Sequence, residues 1–243
     1  MKVQWPPGDR RLFVSTQTYE MGKRLGIEQA QQAFTRETEV ERPRLPSARV
    51  VRKLRELGTV ALFHASSTSL PKLRSRAAHA ALQTEAEYWV MIDDDVECDM
   101  GTLQRMLTLA GPPEVATLVA LPCLLRGIGL EKQSVNVKAK SSVARLVRGE
   151  LAFDLEQAGC GLLIVTRNAL QTMSLHLQDD LRFIDDDGAI KVALFAMELG
   201  KEGWFGEDLS FTRRAARMGI PIYAPASGVS DHDGHKLDLS QLR

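Results

Sequence analysis

Five consecutive apolar residues, Tyr88-Trp89-Val90-Met91-Ile92, run directly into three carboxylates, Asp93-Asp94-Asp95. A strand that is apolar along its whole length, without alternation, has to be covered on both faces. A central strand of a sheet sandwiched between helices meets that demand. The rest of the chain fits the same architecture, because short apolar runs alternate with longer amphipathic stretches. The expected fold class is therefore α/β, with a mostly parallel central sheet flanked by helices.

Further strands are expected at residues 12–14, 59–63, 115–121, 159–165 and 220–223. Helices are expected over residues 21–34, 47–57, 70–82, 100–109 and 167–173, and from Gly206 through Met218. Pro71 suits the first turn of its helix, and Ser47 is a candidate N-cap. Residues 183–195 read as a strand, an acidic turn at Asp185-Asp186-Asp187-Gly188 and a second strand, with Asp-Gly as the hairpin signal. The pattern weakens from Arg126 to Arg148, where Gly, Ser and Lys replace apolar residues. That stretch is expected to be a mobile basic excursion or an irregular hairpin. No internal repeat or low-complexity linker interrupts the 243 residues, so one domain spanning 1–243 is expected.

Composition narrows the function classes. Hydrophobic residues make up 44% and charged residues 26%, as in an ordinary globular protein rather than a disordered or fibrous one. Lys plus Arg (31) balances Asp plus Glu (31). The chain as a whole exerts no bulk pull on nucleic acid or anionic membrane, and any basic surface is local. Three dispersed cysteines, Cys98, Cys123 and Cys160, form neither a C-x-x-C pair nor an even set. A thiolate zinc site or a disulfide framework is not expected. There is no apolar h-region at the N-terminus and no run of about 18 apolar residues, so the expected location is the cytoplasm.

Asp93-Asp94-Asp95 carries the strongest chemical signal. Adjacent carboxylates repel, and open α/β sheets bind ligands at the carboxyl ends of their strands. Oxygen donors there suit Mg²⁺ or Mn²⁺ bridging to a phosphate-bearing ligand; the plainer reading is a solvated acidic turn capping the next helix. Asp185-Asp186-Asp187 is taken as a solvated turn, because the run before it is short and polar. Gly206-Glu207-Asp208 follows the aromatic pair Trp204-Phe205. A carboxylate held against aromatic rings is a fair general base, since desolvation raises its pKa. The same acids serve equally as a cap and first-turn pair, and composition does not choose between the two. Asp231-His232-Asp233-Gly234-His235 offers imidazoles that could complete a metal shell, against the plainer reading of an exposed polar tail.

Taken in order, these elements resemble nucleotide-sugar glycosyltransferases of the GT-A fold, particularly the family 2 type. The matching pieces are Phe13 to Tyr19, Arg74-Ser75-Arg76, Tyr88 to Asp95 with the D-x-D cluster, Gly159 to Val165, Trp204 to Phe211 with the G-E-D element, and Ile220 to Gly234 with its terminal His. The segment 126–148 departs from the pattern where acceptor-side elements would lie. Compact glycosyltransferases encoded by phages look similar too, including some that decorate modified DNA bases; a phage origin would place the protein in the host cytoplasm.

The resemblance implies a single Rossmann-like GT-A domain, with a nucleotide-sugar-binding part at about 11–125 and an acceptor and catalytic part at about 126–243. It implies metal-dependent transfer from a nucleoside diphosphate sugar to an acceptor hydroxyl on a saccharide, lipid, protein or modified DNA base. Asp95, with Asp93 and His232, would hold Mn²⁺ or Mg²⁺. Thr16, Thr18 and Tyr19 would border the base, while Asp93 and Asp94 would orient the ribose. Arg74 and Arg76 would approach the diphosphate or sugar. Asp208 would be the base of an inverting reaction, with Glu207 as the fallback. Two rivals remain: a metal-dependent nucleotidyltransferase, which has no need of the Glu207-Asp208 pair, and a non-catalytic binding module, which has no need of a base.

Overall fold

The computed structural model describes residues 10–18, 46–66, 69–124, 135–201, 203–232 and 234–242, with the backbone alone at 17, 18 and 64–66. The helix expected over 21–34, Tyr19 and the Thr18 side chain lie outside the described residues. The chain opens with β1 (Arg11–Thr18), α1 (Pro46–Leu57), β2 (Thr59–Ser66), α2 (Leu70–Leu82), β3 (Tyr88–Asp93) and β4 (Val96–Cys98). There follow α3 (Met100–Ala110), β5 (Leu118–Ala120), β6 (Val137–Ala139), β7 (Arg145–Val147), β8 (Glu150–Ala158), β9 (Leu162–Thr166) and α4 (Arg167–Leu177). Two short hairpins come next, β10 (Arg182–Ile184) with β11 (Ile190–Val192), and β12 (Glu198–Gly200) with β13 (Gly203–Phe205). The chain closes with α5 (Glu207–Arg217), β14 (Ile222–Pro225), β15 (Val229–His232), β16 (His235–Asp238) and a 3-10 turn, Leu239–Gln241.

Among the described residues nine strands form the central sheet, in the order β2-β1-β3-β9-β5-β14-β8-β6, with β7 also paired to β8. The α/β class is as expected, but the sheet is mixed rather than mostly parallel. β1 runs parallel to β2 and β3, and β5 runs parallel to β14. β9 enters antiparallel between β3 and β5, and β8 runs antiparallel to β14. An apolar run such as Leu162-Leu163-Ile164-Val165 specifies burial on both faces, and it reads the same in either chain direction.

The doubly covered strand is β3. Tyr88, Val90 and Ile92 pack with Val50 and Leu54 of α1 and Leu103 and Met106 of α3. Trp89 and Met91 face the opposite layer, with Ala77 and Ala81 of α2, Leu170 of α4, and Phe211 and Ala215 of α5. There Phe195 and Phe211 stack with ring centres 4.3 Å apart, and Trp89 meets both edge-on at 5.9 and 6.3 Å. The buried Trp89 indole N–H donates to Ser15 Oγ at 2.9 Å, so its polar atom is satisfied. This aromatic wedge fixes α5 against the sheet.

Residues 126–134 of the stretch expected as a mobile excursion or an irregular hairpin lie outside the described residues, while residues 137–158 are ordered sheet rather than a mobile excursion. They form β6, β7 and β8, which extend the sheet. β8 buries Ala152, Phe153, Leu155 and Ala158, while Asp154 and Glu156 meet Arg145 and Lys138 on its outer side. Those outward charges hid a strand that is half core.

Candidate functional site

The acidic triplet sits where the carboxyl ends of parallel strands converge. Thr16 of β1 lies beside Ile92 of β3 and is buried. Asp93 closes β3 and donates its backbone N–H to Gly161 O at 2.8 Å. Asp94 and Asp95 make the turn into β4, and the Asp94 carbonyl accepts from the Ser47 N–H of α1.

Arg74 joins this triplet to the late acids. Standing in the second turn of α2, it is buried, with 4% of its side chain exposed. Its Nη2 donates to both carboxylate oxygens of Asp93, at 2.8 and 3.0 Å, and its Nη1 donates to Glu207 Oε1 at 2.7 Å. Glu207 and Asp208 form the first turn of α5, where carboxylates are favoured by the helix dipole. Burial pushes Asp93 up to about 6, against the opposing pull of Arg74, and the neighbouring Asp95 and Asp208 add to the rise. For Arg74, burial favours the neutral form, but Asp93, Cys160, Glu207 and Asp208 outweigh it and raise the guanidinium above its usual value. An arginine expected to reach a diphosphate thus neutralises two carboxylates of its own chain.

Asp208 is placed differently from Glu207. Its Oδ1 accepts from Leu209 N–H at 2.7 Å. Its Oδ2 faces Gly159, where a Cβ would stand 3.2 Å from it and 3.0 Å from the Asn136 side chain. Gly159 donates to the Asn136 carbonyl at 2.6 Å, and the Asn136 side-chain oxygen accepts from Cys123 N–H at 2.8 Å. Cys160 lies underneath, with burial first and Asp208 second pushing its thiol well above the ordinary range. Such a thiol is inert. Gly159, Asn136 and Cys160 were not picked out by sequence reasoning as site residues. The signal available was Gly159-Cys160-Gly161 leading into an apolar run, which reads as a strand entrance.

His232 and Asp95 meet through strand pairing. β15 lies between β16 and β4 in a three-stranded sheet that sets His232 opposite Val96, next to Asp95. The terminal segment is therefore sheet, not a loose polar tail. His232 Nδ1 lies 2.7 Å from Leu124 O; a carbonyl only accepts, so Nδ1 carries the proton. His232 Nε2 then faces Asp95 Oδ1 at 3.5 Å. An imidazole whose other ring nitrogen donates to a backbone carbonyl is the usual arrangement of a metal-binding His, and mixed N and O donors suit Mn²⁺. The pair fits a divalent cation. Among the described residues no three His, Cys, Asp or Glu side chains group to cage one, and Asp93 is held by Arg74, so further ligands would come from solvent or substrate oxygens.

Arg76 points away from this site. It bonds Asp185 and Asp186 of the β10–β11 turn, and Lys191 also bonds Asp185. This corrects the reading of that triplet as a solvated turn for Asp185, which is buried with 2% of its side chain exposed, whereas Asp186 and Asp187 are exposed as expected. Burial acts to raise its pKa, but the bonds from Arg76 and Lys191 prevail and hold it far below the carboxylate range.

No family model matches the chain, and no curated protein matches it. Solved structures of similar chain path include A197 from STIV, 16% identical, over 96% of this chain and 91% of that one, with a TM-score of 0.49. GalNAc-T7, determined with UDP, GalNAc and Mn²⁺, is 10% identical over 93% of this chain and 44% of its own, with a TM-score of 0.46. Staphylococcus aureus TarS 1-349 in complex with UDP-GlcNAc is 16% identical over 88% of this chain and 58% of its own, with a TM-score of 0.38. The chain thus spans less than two thirds of the GalNAc-T7 and TarS chains that it matches. At these identities and TM-scores the similarities speak of chain path alone.

Proposed function

We propose that the protein is a metal-dependent glycosyltransferase that moves a sugar from a nucleoside diphosphate sugar to an acceptor hydroxyl. The observation that carries this reading is Arg74 bonded at once to Asp93 and Glu207. It draws the acid triplet and the late acid pair, far apart in sequence, into one site at the strand ends. A binding module has no use for that convergence.

In this reading the whole chain works as one domain, with the donor against β1, β2 and β3 and the acceptor on the side of β8 and α5. Asp95 and His232 would hold a divalent cation, which would neutralise the diphosphate leaving group. Thr16, Thr18 and Tyr19 border the base, and Asp93 and Asp94 face the ribose. Asp208 takes the proton of the acceptor hydroxyl as its oxygen bonds to the anomeric carbon. The sugar–diphosphate bond breaks with its electron pair on the departing nucleoside diphosphate, in an inverting displacement. Glu207 is the weaker candidate, because its Oε1 already accepts from Arg74. Arg76 serves the β10–β11 hairpin rather than the donor.

The test is a panel of nucleotide sugars screened against the full chain for thermal shift, with MnCl₂ or with EDTA, followed by assay of nucleoside diphosphate release. One donor class should raise Tm in the presence of Mn²⁺ alone, and Asp95→Asn should abolish the shift. Pyrophosphate release from a nucleoside triphosphate and a sugar phosphate would instead identify a nucleotidyltransferase. A shift undiminished by EDTA would remove the cation from the mechanism.

A further inference from the structure

An open cavity of about 520 Å³ lies along α5, and neither Asp95 nor His232 lines it. Its apolar wall is built by Leu177 at the end of α4 and Leu181 beyond it, Met197 and Leu199 before and within β12, Phe205 of β13, and Met218 after α5. Volumes of this size hold drug-sized ligands, and binding cavities are mostly apolar with a few placed polar groups. Met197 and Leu199 are 55% and 68% exposed, although both line the cavity. Leu199 also sits directly across the hairpin from Trp204, itself 72% exposed.

The polar part of the wall is unbalanced. Arg213, Arg214 and Arg217 line it, against the carboxylates Glu198 and Asp180. Glu198 takes two of the guanidiniums: Arg214 Nε bonds its Oε1 at 2.9 Å, and Arg217 bonds the same oxygen. Arg213 has no carboxylate partner among the described residues. Its guanidinium lies 3.8 Å over the Phe205 ring, and its Nη1 donates to Gln157 Oε1 at 3.1 Å. Its Nε is buried without an acceptor among the described residues. A buried donor left without a partner is disfavoured, and a charge-assisted bond to an anion is among the stronger ways to satisfy one.

We propose that this cavity binds a soluble, single-chain anionic amphiphile, its chain against Leu177, Leu181, Met197 and Met218 and its phosphate or carboxylate head on Arg213. A neutral apolar molecule would leave the excess guanidinium unanswered, and a bare anion would leave the apolar wall wet. This site is independent of sugar transfer.

Calorimetric titration of the full chain with dodecyl phosphate, below its micellar concentration, tests the proposal. The expected result is one molecule bound per chain, with affinity reduced about tenfold by Arg213→Gln and by at least as much by Met197→Glu. Position 197 is exposed, so that variant keeps the fold. Asp208→Asn should bind dodecyl phosphate as the unaltered protein does, whatever becomes of the transfer reaction. Absence of saturable binding, equal affinity for the neutral dodecyl maltoside, or indifference to both cavity variants would overturn the proposal. So would co-sedimentation with phosphatidylglycerol vesicles in the absence of any binding of the monomer.

Discussion

Arg74 Nη1 donates to Glu207 Oε1 at 2.7 Å across 133 positions of sequence, while Nη2 of the same guanidinium holds Asp93. One buried cation therefore sets the spacing between the end of β3 and the start of α5. Replacing it by Met leaves two half-buried carboxylates without their counter-charge. Breaking a buried pair from one side costs about 3 kcal/mol or more, so Arg74→Met should lower the midpoint of urea unfolding by that equivalent. Adding Glu207→Gln should recover part of the loss, because one uncompensated charge disappears. Strict additivity of the two variants would show that the bond contributes nothing.

His232 presents Nε2 to Asp95 because Leu124 O fixes the proton on Nδ1. His232→Ala should weaken Mn²⁺-supported binding of a nucleoside diphosphate at least about tenfold, since even the loss of an outer-shell partner has that effect. Thermal stability without Mn²⁺ should change little. Calorimetry with and without EDTA measures both, and unchanged Mn²⁺-supported affinity would remove His232 from the cation site.

Asp208→Asn should reduce turnover at least about 10²-fold with little change in donor affinity, the pattern of a lost general base. Asn keeps an oxygen for the Leu209 N–H, so a merely structural Asp208 would tolerate the change. Near-normal turnover in Asp208→Asn would pass the role to Glu207, with Glu207→Gln as the next variant to assay.

Gly159→Ala should also slow turnover, by displacing Asp208 and Asn136 rather than by removing a reacting group. The added Cβ would come within 3.2 Å of Asp208 Oδ2 and 3.0 Å of Asn136. Measured rates should fall while the pH dependence of the remaining activity keeps its shape. A variant as fast as the unaltered protein would show that the acid has room to shift.

Asp185 links stability to pH. Its folded pKa is held below the unfolded value of about 3.9, so its contribution is present above about pH 4 and fades as the pH falls further. Asp185→Asn should lower unfolding free energy by about 2 kcal/mol at pH 7, a charged-bond magnitude, and by progressively less as the pH falls below about 4. Asp93 has the opposite sign. With its folded value raised to about 6, it reduces stability as the pH rises from about 4 through 6. Urea titrations of both Asn variants across pH 3–7 separate the two, and parallel curves would contradict them.

Much of the architecture was legible locally. The uninterrupted Tyr88-to-Ile92 run required cover on both faces, and the structure supplies α1 and α3 on one side and α2, α4 and α5 on the other. Pro71 and the Ala-rich stretch after it marked α2, and Gly206 marked the start of α5. β8 was missed because Glu150, Asp154 and Glu156 broke its hydrophobic signal; in the fold their charges are met by Arg105, Arg145 and Lys138.

Sequence alone determined which segments are buried, where the carboxylates interrupt a strand, and which acids begin a helix. Those properties follow from side-chain polarity and neighbours along the chain. Tertiary structure decided the direction of β9, the return of His232 to Asp95 through β15 and β4, and the division of labour between Arg74 and Arg76. Two arginines two positions apart are equivalent in composition, but a helix turns about 200° between them, so one turns into the site and the other toward Asp185. Ion pairs form between groups that the fold brings within a few ångströms, and sequence separation carries no record of that distance.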